Sequence, residues 1–270
     1  MNDKAIAENK YLDQLNTRKY DPKRTPPALE KILTIDDKIV GTLQNYVVFS
    51  GLPKGGKSTF ITALIASAIH PADFFKMKLN LPKDRRRVCY IDTESGEYDF
   101  YKNVERIKNF ICAKNLPSKI DCFSVREDHH KVIQYYVQIY LKNNPDCSVL
   151  ILDGLLDMIL NYNDEVESRQ LVQFLKKVTK VYNCLIVTVL HIGKKDLNTL
   201  GHLGSSCDRY AQSTLLVEKN KDLNCFVLSS KFMRSDQEFD PVAVQYLGGE
   251  FTQVDYTPPV DLKQNFKTKK

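Results

Sequence analysis

The feature that most limits what this chain can fold into is the run Gly51-Leu52-Pro53-Lys54-Gly55-Gly56-Lys57-Ser58, which fits GxxxxGK[ST]. It directly follows the apolar stretch Tyr46 to Ser50 and directly precedes an apolar stretch of helical character. That context, strand then loop then helix, is what gives the motif its meaning as a phosphate cradle. Glycines let backbone N–H groups curl around a phosphate, and the following helix adds its positive N-terminal end. The pattern assigns Gly51, Pro53, Lys54, Gly55, Gly56, Lys57, Ser58 and Thr59 to a nucleotide. Lys57 would reach the β- and γ-phosphates, and the Ser58 hydroxyl would ligate Mg²⁺.

Around this loop the chain alternates strand-like and helix-like segments, the pattern of an α/β fold with a mostly parallel twisted sheet and helices on both faces. Strands are expected near 46 to 50, 88 to 92, 120 to 125, 148 to 152 and 184 to 190. Helices are expected at 57 to 70, 97 to 114, 129 to 143 and 164 to 181. Segments 213 to 219 and 224 to 231 read as two antiparallel strands, a C-terminal extension of the sheet. At 270 residues one core suffices. The expected organisation is an N-terminal arm and linker over 1–27, one ATPase domain over 28–255 and a basic, disordered tail over 256–270. Ile6, Tyr11, Leu12 and Leu15 can share one side of a short helix in the arm, before the break at Pro26-Pro27.

Composition narrows the class. With 43% hydrophobic and 27% charged residues the chain is neither disordered nor fibrous. No apolar run reaches the length of a membrane span and Met1 to Lys10 lacks signal-peptide character, so a cytoplasmic protein with no membrane contact is expected. Seven cysteines without a CxxC pair suit reduced thiols. The net charge of +6 lies mainly in the two terminal segments, so it does not by itself point to a nucleic-acid face.

Three strand ends carry the remaining chemistry. Ser148 to Asp153 is an apolar strand ending in a carboxylate, the form of a Walker B strand whose Asp holds Mg²⁺ opposite Ser58. Asp153 lies 96 residues beyond Lys57, leaving room for two intervening strands, as in additional-strand ATPases. One inserted strand ends Tyr90-Ile91-Asp92-Thr93-Glu94. Glu94 is the candidate general base, with Asp92 one step back as the weaker one and an alternative role for Glu94 at the following helix N-terminus. A third strand ends at His191, placed to touch the γ-phosphate or attacking water and to report nucleotide state to the loop after it. The closest candidate for an NKxD base-reading motif, Asn220-Lys221-Asp222-Leu223, has Leu at its Asp position, which favours ATP over GTP. Arg85-Arg86-Arg87 reads as a solvated surface turn rather than a kinase lid.

In order along the chain, GLPKGGKS, YIDTE, VLILD, VLHIGKK and Leu203-Gly204-Ser205-Ser206 resemble RecA-like P-loop ATPases, most closely the small plasmid RepA-type hexameric replicative helicases. The resemblance spans about residues 30 to 235. It implies Mg-ATP hydrolysis with Lys57 and Ser58 on nucleotide and metal, Glu94 activating water, Asp153 serving the metal and His191 sensing the γ-phosphate. It also implies a hexameric ring whose neighbouring subunit lends basic residues to the site, for which Lys231 and Arg234 are the candidates. Relatives often space that pair two apart, and here it is three. Single-stranded DNA would meet the loops at 161 to 169 and 194 to 202, with Lys194 and Lys195 the better contacts, and a loader or initiator protein would deliver the ring. The alternatives are a recombination or repair ATPase and a non-motor ATP-controlled switch.

Overall fold

The computed structural model describes residues 3–25, 28–193 and 200–258. The chain begins with helix α1 (Asp3–Asn16), strands β1 (Lys31–Ile35), β2 (Lys38–Thr42) and β3 (Tyr46–Gly51), and helix α2 (Lys57–Ser67). Then come β4 (Met77–Leu79), β5 (Arg87–Asp92), α3 (Glu97–Phe110), β6 (Ile120–Ser124), α4 (His130–Asn143) and β7 (Cys147–Asp153). A 3₁₀ turn (Leu155–Met158) leads to α5 (Glu165–Val181), β8 (Leu185–His191), α6 (Gly201–Tyr210) and four last strands. These are β9 (Ser213–Asn220), β10 (Cys225–Met233), β11 (Val242–Leu247) and β12 (Glu250–Val254).

Among the described residues the main sheet has nine strands in the order β12-β11-β10-β9-β3-β8-β7-β5-β6. From β9 to β6 every pairing is parallel; from β9 to β12 every pairing is antiparallel. The expected parallel sheet with an antiparallel extension is therefore what forms. β3 and β7 are buried along their whole length, as their unbroken apolar sequences require once helices cover both faces. One face packs Phe60, Leu64 and Ile107 from α2 and α3. The other packs Val137, Leu175 and Leu203 from α4, α5 and α6.

α2 is buried on nearly all sides. A helix apolar all round needs a second cover, and the three-stranded antiparallel sheet β2-β1-β4 lies in that core cluster. Ser67 Oγ on α2 accepts the Leu79 N–H of β4 at 3.0 Å. This small sheet is absent from the sequence reading. Its β1–β2 turn, Asp36-Asp37, has both φ angles positive, at 50° and 62°. Two such residues define the tight hairpin turn that Asn-Gly usually signals, so the turn is hard to see without glycine. β11, β12 and α6 were likewise not expected.

Two other expectations change. Arg85 does not solvate a turn: its guanidinium donates to the carbonyls of Pro145, Cys147, Tyr182 and Asn183. Arg87 pairs with Asp146 at 2.9 Å and Asp121 at 2.8 Å. The basic cluster thus ties strand starts to helix ends. In the arm, Tyr11, Leu12 and Leu15 are all exposed on α1, while Pro26-Pro27 and residues 259–270 of the tail lie outside the described residues. Among the described residues no helix is long and apolar enough to cross a membrane.

Candidate nucleotide and metal site

Parallel pairing brings the chemistry to one edge. The register sets Gly51 beside His191 and Asp92 beside Asp153, with β8 standing between the phosphate-loop strand β3 and β7, the strand expected to carry the Walker B carboxylate. All of these residues sit at C-terminal strand ends, where open α/β sheets bind ligands.

The loop after β3 is held tight by the Gly55 N–H on the Leu52 carbonyl at 3.0 Å and the Thr59 N–H on the Gly56 carbonyl at 3.0 Å. Gly56 has φ 95°, and a Cβ there would stand 2.4 Å from Phe226 Cδ1 on β10. The antiparallel extension therefore lays an aromatic ring against the phosphate loop, a contact invisible to the motif. Pro53 and Lys54 are exposed on the loop's outer turn, and Ser58 and Thr59 lie in the first turn of α2.

Lys57 is buried, and its Nζ donates to the Gly51 carbonyl at 3.0 Å and the Leu52 carbonyl at 2.8 Å. It also lies 3.3 Å from His191 Nδ1. His191 Nε2 in turn lies 3.0 Å from Glu94 Oε1 and 3.2 Å from Oε2. The imidazole tautomer with its proton on Nε2 satisfies both ends, accepting from Lys57 and donating to Glu94. Burial lowers the Lys57 pKa, with Glu94 and Asp153 working against that. Burial disfavours the charged form of Glu94, but the His191 hydrogen bond and the electrostatic influence of the His191 ring and the Lys57 ammonium outweigh it and bring its pKa below the usual value.

Asp153 behaves in the opposite way. Burial, with Asp92 and Glu94 close by, pushes its pKa up to about 7 against the stabilising effect of Tyr90 and Lys57. Tyr90 Oη lies 2.9 Å from Asp92 Oδ2 and 3.0 Å from Asp153 Oδ2. A phenol has one proton to donate, so it satisfies one carboxylate at a time. Asp92 is further anchored because its Oδ1 accepts the N–H groups of Glu94 at 3.1 Å and Ser95 at 2.8 Å. It orients the turn that presents Glu94, which accounts for its lying one step back.

This donor set fits Mg²⁺. Two buried carboxylates that share a single phenolic donor gain from a hard divalent cation, and Ser58 Oγ at the start of α2 adds a neutral oxygen. Among the described residues no group of three or more His, Cys, Asp or Glu side chains forms a self-contained metal cage. Mg²⁺ in phosphate sites takes only one or two protein ligands and leaves the rest to phosphates and water.

Four contributors escaped the motif reading. Tyr90 shares the Asp92 face by strand alternation, which is the signal that could have found it. Thr93 Oγ1 contacts the Gly154 carbonyl at 2.9 Å and Asp157 Oδ2 at 2.7 Å, locking the Glu94 turn to the segment after β7. Gly154 has φ 136°, and a Cβ there would lie 2.5 Å from Glu94 Cγ. Asp157, raised above the usual carboxylate pKa mainly by burial, completes the wall.

Lys231 and Arg234 stand apart from this cluster. Lys231 Nζ pairs with Asp208 Oδ2 at 3.0 Å, and Arg234 Nη2 donates to the Arg209 carbonyl, so both reach the end of α6. Their three-residue spacing has a physical basis. Ser230 pairs with Leu215 and Phe232 with Thr214, making Lys231 the extra residue of a β-bulge, which breaks strict alternation. Lys194 and Lys195 lie outside the described residues. Asn220 Oδ1 accepts the Leu223 N–H in the β9–β10 turn, so the partial NKxD match is a hairpin corner.

A phosphate cradle at the first turn of a buried helix, facing strand-end carboxylates across a mostly parallel sheet, defines the class of P-loop ATPases. The model of the AAA domain family matches residues 26–196, more than half of the chain, and the chain belongs to that family. It is accordingly a nucleotide-hydrolysing P-loop ATPase. None of the curated proteins matches it.

Proposed function

We propose that the chain is a RecA-like, Mg-ATP-dependent motor of the plasmid RepA helicase type, acting on single-stranded DNA as a hexameric ring in plasmid or mobile-element replication or transfer. The observation that carries this reading is the double engagement of His191. Its ring bridges Lys57 and Glu94, and its backbone carbonyl accepts the Leu200 N–H at 3.3 Å, at the far end of the loop that would meet DNA. A change at the γ-phosphate that moves this ring has a direct backbone connection to that loop.

The second loop is tied to the first. The Leu203 N–H donates to the Tyr162 carbonyl at 3.0 Å, and Gly201 packs so closely on Asn163 that a Cβ would stand 2.3 Å from its Oδ1. Segments 161–169 and 200–202 are therefore in direct contact, and Lys194 and Lys195 would supply the basic grip on phosphates. With nucleotide and metal bound, Lys57 and Ser58 would hold ATP, Ser58 and Asp153 would hold Mg²⁺, and Glu94, freed from its His191 contact, would take the proton of the attacking water. Mg²⁺ supplies charge neutralisation of the phosphates. Lys231 and Arg234 are the basic residues lent to the neighbouring subunit's site. A loader or initiator protein places the ring on DNA.

The test measures ATPase rate with and without single-stranded DNA, together with the mass of the ATP-bound assembly. A hexamer whose turnover rises with DNA supports the motor. A monomer indifferent to DNA overturns it and leaves a non-motor switch.

A further inference from the structure

A cleft of about 1040 Å³ opens between α3 and the β11–β12 hairpin, where the antiparallel extension curls back over the α2–α3 face. Nothing in the nucleotide site uses it. Its walls include Tyr101, Phe110, Tyr246 and Phe251, the last two being cross-strand partners with ring centroids 4.8 Å apart. Arg106, midway along α3, projects its guanidinium over the Phe251 ring at 5.3 Å.

That guanidinium is under-satisfied. It makes one side-chain hydrogen bond, to Asn103 Oδ1 at 3.3 Å, and among the described residues it has no ion pair with a carboxylate. Arg has five N–H donors, and half-burying it without an anion is unfavourable. The neighbouring acid, Glu105, is already bound to Lys108 at 2.6 Å. Asn103 is equally telling. It is buried beside Ile107 on the inner face of α3, where an apolar residue would pack at lower cost. It accepts from Arg106 and donates from Nδ2 to Tyr90 Oη at 3.4 Å. Tyr90 is the residue that bridges Asp92 and Asp153. A continuous polar chain thus runs from the cleft to the Walker B carboxylate.

We propose that this cleft is a second ligand site, separate from the phosphate loop, for a small aromatic anion of nucleoside-monophosphate size. Its anionic group binds Arg106, its ring packs on Tyr101, Tyr246 or Phe251, and its presence is felt at Asp153 through Asn103 and Tyr90. Arg106 and Lys102, both on the cleft and neither in an ion pair among the described residues, call for an anionic ligand of low charge, and guanidinium suits a phosphate oxygen pair. Glu250 on the same cleft opposes a polyanionic strand. The aromatic walls call for a planar body, and the volume sits at the upper end of small-molecule sites, roughly 300–1,000 Å³. The binding claim stands by itself; the coupling claim rests on Asp153 serving Mg²⁺.

The test uses the full chain with its phosphate loop filled by Mg²⁺ and a non-hydrolysable ATP analogue, titrated calorimetrically with thymidine 5′-monophosphate. Saturable binding is expected, weakened at least tenfold by Arg106→Gln and, separately, by Phe251→Ala, with circular dichroism verifying that each variant is folded. Inorganic phosphate alone should bind at least tenfold more weakly. Asn103→Leu should keep the binding but abolish any effect of the monophosphate on Mg²⁺ affinity. Absence of saturable binding at millimolar probe, binding indifferent to both variants, or displacement of the probe by added ATP analogue overturns the site. Tighter, Arg106-dependent binding of a single-stranded oligonucleotide overturns the small-ligand reading in favour of a nucleic-acid track. Binding with no effect on Mg²⁺ in the unsubstituted protein overturns the coupling alone.

Discussion

The parallel and antiparallel halves of the main sheet do different work. From β9 to β6 the strands run in one direction, so their C-terminal ends line up and deliver Gly51, His191, Asp153 and Asp92 to a single edge. From β10 to β12 direction alternates, and no such edge exists. That half acts by curling over: it sets Phe226 against Gly56, sends Lys231 and Arg234 to the end of α6, and closes the Arg106 cleft. Chemistry concentrates where strand ends coincide; the extension shapes and buttresses it.

Substitutions in the two halves should therefore differ in kind. The largest effect is expected from Glu94→Gln, which should leave ATP binding intact and reduce turnover about 10²-fold or more, as for a lost general base. Wild-type-like single-turnover rates would remove Glu94 from that role. Gly154→Ala should come next, with turnover down roughly tenfold at unchanged nucleotide affinity, because its methyl group displaces Glu94 without touching the loop. A loss of affinity instead would show that the Glu94 turn and the loop are not separable.

Asp153→Asn probes the same edge through pH. Its pKa rises on folding to about 7, so the folded state holds a proton that the unfolded chain releases above its ordinary carboxylate value. The stability this proton supports is complete in acid and is lost as pH rises through 7. In EDTA, the substitution should raise stability by about 1–3 kcal/mol at pH 8 and by nearly nothing at pH 4, read from urea denaturation. Equal changes at both pH values would refute the crowded-carboxylate picture. Lys231→Ala, in the other half, should change the chemistry within the isolated subunit least, costing about 3 kcal/mol of stability as a largely buried ion pair loses one partner, while slowing turnover of the assembly. If turnover is unchanged at every protein concentration, Lys231 has no role across subunits.

Much of the parallel half was legible because each of its elements carries a local signal. Apolar runs mark β3, β5, β7 and β8, and amphipathic spacing marks α3, α4 and α5. The antiparallel elements carry weaker ones. β12 is largely exposed, β4 has three residues, and the Asp36-Asp37 turn lacks glycine. The basic cluster at 85 to 87 misled because sequence shows charge but not the carbonyls and carboxylates that Arg85 and Arg87 meet. Tyr90 and Asn103 were missed because each looks like an ordinary strand or helix residue until the contacts they make are known.

The sequence by itself determined the phosphate loop, the alternation of strands and helices, and the strand-end positions of Glu94, Asp153 and His191, because these follow from local spacing and strand direction. Only the tertiary structure decided that Lys57, His191 and Glu94 form one hydrogen-bonded line while Asp153 shares Tyr90 with Asp92. Two carboxylates at neighbouring strand ends have opposite pKa directions because one gains a cationic neighbourhood and the other a crowded, buried one. Those surroundings come from residues far apart along the chain, and only packing brings them together.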